Sequence, residues 1–288
     1  MSNHDYSRRE FVGWSAAAGL VAASASVAAA PAAVVENDVL IKTADGSCDA
    51  AFYHPRKGAN AGVLVWTDIF GLRPAFRELG KRLAAAGYAV LVPNPFYRTA
   101  KSPVFTDISS FSFMNEADRA KLPPLVAPLN AAGAAESDAR AYVAFLDAQR
   151  AVSKSKKIGT QGYCMGGPLV LKTAAAVPER IGAAASFHGG GLVTDKSDSP
   201  HLLLPKIRAR MYFAIAANDD ARQPDAKETL RTACAAASLS AEIEVYAGAQ
   251  HGWCVPDMPA QNGTAIYSQP DAERAWSKLL ALYAAALG

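Results

Sequence analysis

Residues 162 to 166 read Gly-Tyr-Cys-Met-Gly, a thiol framed by glycines at a spacing that suits a sharp turn from strand to helix. In such a turn the central residue is held in a strained backbone conformation, and small neighbours let the flanking chains approach. The preceding run KKIGTQG has the apolar character of a short buried strand, and residues 167 to 177 have a helical pattern. A helix starting near Gly166 would aim the positive end of its dipole at Cys164 and favour a thiolate, which is what nucleophilic catalysis needs. The plainer reading is a buried cysteine that serves as a small hydrophobe.

A thiol nucleophile requires a base, and in sheets of this kind an acid and then a histidine follow the nucleophile on loops after later strands. The strand MYFAIAA runs into Asn218-Asp219-Asp220, and EIEVYAG runs into Ala249-Gln250-His251-Gly252. Asp219 would orient the imidazole, with Asp220 and Asp225 as competitors, and His251 would move the proton. His54, His188 and His201 do not follow the last strand. The run His188-Gly189-Gly190-Gly191 looks like an oxyanion motif but stands behind the nucleophile, so it is expected as a pocket wall. The loop after AGVLVW is Thr67-Asp68-Ile69-Phe70-Gly71, which makes the backbone amides of Ile69 and Met165 the expected oxyanion donors.

These residues need elements to hold them. VLIKTADGSCDAAFYHP reads as a hairpin about Asp45-Gly46. Beyond it, short apolar strands (61–67, YAVLVPNPF, KKIGTQG, IGAAASF, RARMYFAIAA, AEIEVYAG) alternate with helical patterns at 77–86, 136–149, 167–177, 225–237 and 271–287. That alternation predicts an α/β fold with a mainly parallel sheet covered on both faces, and function collected at the carboxyl ends of its strands. Residues 98 to 132, with Pro103, Pro123, Pro124 and Pro128, are expected to form an insert over that edge.

The chain has 288 residues, 51% of them hydrophobic and 19% charged, enough to bury one sizeable core without a second globular domain. A net charge of +3, with basic residues scattered along the chain, argues against a nucleic-acid partner. Ser7-Arg8-Arg9-Glu10-Phe11-Val12 and the Ala-, Gly- and Ser-rich stretch to Ala30 resemble a twin-arginine export signal. Residues 1–32 are therefore expected to be a signal read by export machinery, and 33–288 a periplasmic or secreted domain with no stable membrane association. Metal-ligand clusters and phosphate-cradling glycine loops are missing from the sequence, so no cofactor or metal is expected. Cys48, Cys164, Cys234 and Cys254 are widely and irregularly spaced, which predicts at most one disulfide. Cys254, three residues past His251, is expected as an apolar filler rather than a disulfide partner of Cys164.

Taken together, TDIFGL, GYCMGG, AAND and HGWCVPD fall in an order that resembles the dienelactone hydrolase family, α/β-hydrolases with a cysteine nucleophile. The resemblance covers most of the chain from Asp68 onward. It implies the triad Cys164, Asp219 and His251 and hydrolysis of a small ester or lactone through a thioester. It also implies a carboxylate that holds the resting thiol, for which this chain offers Asp68, shorter than the family's glutamate. Two arginines bind the substrate carboxylate in that family. The one past the histidine is missing here, where Gly252-Trp253-Cys254-Val255 follow, and Arg119 or the more distant Arg98 are the candidates for the other. Phe70, Tyr163, Phe187, His188 and Trp253 are expected around the pocket. The alternatives are a general thiol carboxylesterase indifferent to substrate charge, and a non-hydrolytic thiol redox or binding protein on the same fold.

Overall fold

A computed structural model of the chain describes residues 33–261 and 263–288. The expected export signal lies outside the described residues. The first two strands, β1 (Val34–Thr43) and β2 (Gly46–Pro55), form the hairpin about Asp45-Gly46, with Thr43 opposite Gly46. The chain continues through β3 (Gly62–Trp66), α1 (Pro74–Ala85), β4 (Ala89–Pro93), α2 (Glu116–Arg119), α3 (Pro123–Leu129), α4 (Ala134–Ala148) and β5 (Ile158–Tyr163). It then passes through α5 (Gly166–Ala176), β6 (Ile181–Phe187), a 3-10 turn (Pro200–Lys206), β7 (Arg210–Ala216) and α6 (Ala217–Arg222). The last elements are α7 (Ala226–Ala236), β8 (Ala241–Tyr246) and α8 (Gln269–Ala286).

The sheet has eight strands in the order β1-β2-β4-β3-β5-β6-β7-β8. Pairings from β4 through β8 are parallel, and β1 and β2 add an antiparallel edge. This is the α/β-hydrolase arrangement. Side chains of β3 show why both faces are covered: Leu64 and Trp66 pack with α4, α5 and α7, while Val63 and Val65 pack with α1 and α8. The period of two along the strand thus feeds two separate cores.

Strand order reverses between β3 and β5, whose parallel register runs from Val63–Gly159 to Trp66–Gly162. A crevice opens beyond the carboxyl ends of strands at such a switch point. The loop after β3 and the turn after β5 both emerge there. The region 98–132, expected as an insert, contains two short helices, α2 and α3. Asn115 caps α2 by accepting from the amides of Ala117 and Asp118. One difference is α6, a helix where the sequence suggested a loop. It follows directly on β7 and carries Asp219 in its first turn.

Candidate active site

Cys164 stands between β5 and α5 with φ of 51°, a left-handed conformation that a non-glycine residue adopts only where its surroundings enforce it. Those surroundings are built from glycine. A Cβ on Gly162 would lie 2.2 Å from the carbonyl oxygen of Gly166, and one on Gly166 would lie 2.7 Å from the carbonyl oxygens of Trp66 and Thr67. Only hydrogen at both positions lets α5 fold back onto β5 and press against the end of β3. The Trp66 indole then donates to the Thr173 hydroxyl at 2.9 Å and pins α5 to β3. Main-chain bonds complete the turn, from Cys164 N to Phe187 O at 3.1 Å and from Gly167 N to Cys164 O at 3.0 Å.

Two further loops reach the same edge. The ends of β7 and β8 are tied by a bond from Ala217 N to Ala249 O at 2.9 Å. His251 Nδ1 donates to Asp219 Oδ2 at 2.6 Å, and the His251 amide donates to Asn218 Oδ1 at 2.9 Å. Asn218 therefore holds the backbone of the residue whose ring its neighbour orients, a role that sequence reasoning missed although the two are adjacent. Burial alone would pull the His251 imidazole down, but its hydrogen bonds and charge interactions with Asp219 and Cys164 lift it to about 10. The structure thus joins His251 to Asp219 by a hydrogen bond and places Cys164 near enough to His251 to raise it.

The amides of Ile69 and Met165 form no hydrogen bond within the described residues. They stand on loops that meet where Gly166 abuts Thr67.

Asp68 differs from its expectation as a thiol partner. Both of its oxygens accept from Arg73, Oδ1 from Nη1 at 2.7 Å and Oδ2 from Nη2 at 3.0 Å, and Oδ1 also accepts from the Phe70 amide at 2.9 Å. Arg73 goes on to Asp257 through Nε and Nη2, each at 2.8 Å. Burial pushes the Asp68 carboxyl up, and the guanidinium opposes that shift. The arrangement ties the loop after β3 to the segment that follows His251. Arg73, five residues past Asp68 and just before the proline that opens α1, was the missed signal.

The pocket expectations need correction. Arg98 is held by Asp45 and Asp138, and Arg119 is an exposed residue whose Nη1 donates to the carbonyls of Phe113 and Met114. Tyr163, Phe187 and Trp253 are buried core residues, because their side chains fall on the α1/α8 face of the sheet. His188 is also buried, its ring edge-on to His251 at 4.8 Å, and burial together with the neighbouring His251 charge holds it well below the usual histidine range. Phe70 lies under the insert, against Phe111 at 4.9 Å and Phe105 at 5.5 Å.

Cys48, Cys164, Cys234 and Cys254 are all free thiols. Cys254 lies among the apolar residues of the α1/α8 face, where burial pushes its thiol well up. It also lines an apolar cleft of about 570 Å³ with Tyr163, Phe187 and Trp276, a cleft that Cys164, Asp219 and His251 do not line. Among the described residues no cluster of His, Cys, Asp or Glu could hold a metal ion, and no helix is long and apolar enough to cross a membrane.

The dienelactone hydrolase family model matches residues 48–287. The chain belongs to the dienelactone hydrolase family. This dienelactone hydrolase homologue is 27% identical, over 276 residues, to a Salmonella typhi protein provisionally named a carboxymethylenebutenolidase, covering 88% of this chain and 94% of that one. An Escherichia coli protein with the same provisional name is 27% identical over 272 residues, covering 87% and 92% of the two chains. Among solved structures, one from Klebsiella pneumoniae, provisionally described as a dienelactone hydrolase, superposes with a TM-score of 0.73 at 25% identity and covers 88% of this chain and 99% of that chain. Family membership makes this chain a hydrolase of the dienelactone hydrolase type.

Proposed function

We propose that the protein hydrolyses a small carboxylic ester or lactone through a thioester on Cys164. The observation that carries this reading is the Asp219–His251 hydrogen bond beside Cys164, a thiol held at φ of 51° in the turn between β5 and α5.

In the first half-reaction the Cys164 sulfur, its proton transferred to His251, attacks the carbonyl carbon and the carbonyl oxygen becomes an oxyanion, which accepts from the Ile69 and Met165 amides. As the tetrahedral intermediate collapses, the carbon–oxygen bond to the leaving group breaks and the His251 imidazolium gives its proton to the departing alkoxide. The thioester and a neutral imidazole remain. His251 then takes a proton from a water molecule as its oxygen attacks the thioester, the carbon–sulfur bond breaks, and the acid is released. Asp219 keeps the ring oriented and balances its charge throughout. Neutral His188 packs beside the ring without competing for that proton.

The test is to mix the protein with p-nitrophenyl acetate, quench it early and locate the acetyl group by peptide mass spectrometry. Acetylation of Cys164 with release of p-nitrophenolate is expected. Undiminished hydrolysis by Cys164→Ala would overturn the reading.

A further inference from the structure

We infer that the site selects neutral esters carrying an apolar group, and that this group occupies a cavity between the insert and the segment after His251. The inference rests on the proposed hydrolysis and names its substrate class.

The cavity measures about 370 Å³ and is lined by Phe111, Phe113, Met114, Met258 and Ile266 among others. Two of its walls pack against chain neighbours of the candidate site. On one side Phe70, next to the oxyanion-loop residue Ile69, packs its ring on Phe111 at 4.9 Å, and Phe111 packs on Phe113 at 5.0 Å. On the other, Met258 and Ile266 crowd Gly252, the residue after His251: a Cβ placed there would lie 3.0 Å from Met258 Cε and 3.5 Å from an Ile266 methyl. Cys164, Asp219 and His251 do not themselves line the cavity; its walls pack on Phe70 and Gly252, the residues that follow Ile69 and His251 in the chain.

The chemistry of the lining selects the ligand. Ser112 and Gln261 are its polar side chains, and no charged residue lines it. A carboxylate placed there would be desolvated without a counter-charge, whereas an alkyl or aryl group would be transferred out of water. The candidate cations are committed: Arg73 lies between two carboxylates, Arg98 is held by Asp45 and Asp138, and Arg119 donates to the carbonyls of the cavity's own wall at Phe113 and Met114. Four large apolar side chains are exposed among the described residues, and two of them, Phe113 at 40% and Met114 at 88%, belong to this cavity. Exposed apolar side chains gathered at a concave site are where an apolar ligand is expected to bind.

The experiment compares kcat/KM for p-nitrophenyl acetate, propionate and butyrate with that for the mono-p-nitrophenyl ester of glutaric acid, which ends in a carboxylate. It uses the wild-type protein and the Cys164→Ala, Phe113→Ala and Arg119→Ala variants. Expected is Cys164-dependent hydrolysis that rises roughly threefold per methylene, about tenfold from acetate to butyrate, with the glutarate ester at least about tenfold below butyrate. Phe113→Ala should reduce the butyrate-to-acetate ratio to about three or less. Cys164-dependent hydrolysis with a flat chain-length trend, or with a preference for the glutarate ester that Arg119→Ala abolishes, overturns the substrate class and leaves the hydrolase reading standing. Turnover that is undiminished in Cys164→Ala overturns that reading and this inference with it.

Discussion

Arg73 binds both oxygens of Asp68, at 2.7 and 3.0 Å, with each side chain exposed by only 1 to 2%. The ion pair neutralises the carboxylate that precedes Ile69 in the loop after β3. Through Asp257 it also reaches the segment that carries His251. Removing one member of a buried pair leaves the other uncompensated, which costs far more than the pair itself contributes.

Arg73→Ala should therefore lower stability by about 3–5 kcal/mol in urea unfolding at neutral pH. Without the guanidinium, burial acts on Asp68 against little more than the Phe70 amide and raises its folded-state pKa further above the unfolded value. The penalty for the buried charge is then present at neutral pH and disappears as pH falls through the ordinary carboxylate range, where the unfolded chain is protonated as well. The gap between variant and wild type should shrink below about pH 4. A gap independent of pH would show that the loss comes from packing alone.

His251 is lifted to about 10 by Asp219 and Cys164 acting against burial. Because the folded value is raised, the stability this proton contributes is complete below the ordinary histidine value of 6.5 and is lost as pH rises toward 10. Asp219→Asn removes the largest opposing partner. Its melting temperature should fall most below pH 6.5 and converge on wild type near pH 10, and the alkaline limb of kcat/KM should move to lower pH. Superimposable pH profiles would count against the Asp219–His251 contact as a proton-holding device.

Cys164→Ala should lower esterase activity by at least about a thousandfold while the melting temperature changes little, since only the sulfur is removed from a preserved turn. Cys164→Ser should also be severely impaired, because a hydroxyl needs stronger base assistance than a thiol. Steady-state kinetics with p-nitrophenyl acetate provides the measurement.

Gly162→Ala would place a methyl group 2.2 Å from the Gly166 carbonyl oxygen, in main chain that cannot swing aside. The expected result is loss of soluble protein, or a loss of stability of more than about 3 kcal/mol together with loss of activity, by overpacking and distortion of the turn. Gly190→Ala, whose added Cβ meets nothing within 4 Å, is the control and should fold normally.

We propose that the chain is exported by the twin-arginine route on the strength of Arg8-Arg9 and the weakly apolar stretch behind them. Replacing both arginines with lysine should leave the precursor in the cytoplasm in a fractionation blot. Unchanged processing in that blot would remove the proposal.

Sequence alone determined the mainly parallel α/β sheet and that Cys164, Asp219 and His251 follow three of its strands, because both are written in local signals whose order along the chain matters. In a parallel sheet every strand ends at the same edge, so a residue just past a strand is placed there whatever the rest of the chain does. The short helix α6 escaped notice since Asn218, Asp219 and Asp220 suit a cap or a turn as well as a first helical turn. Only the tertiary structure decided which charges meet. Arg73 and Asp257 are 184 residues apart, and Arg98 and Asp138 are 40 apart, and no local pattern announces either pair. It also decided that Trp253 belongs to the core while Met258 faces a cavity. That choice depends on which face of the sheet each side chain leaves from and on what the insert covers, and both follow from packing rather than from residue type.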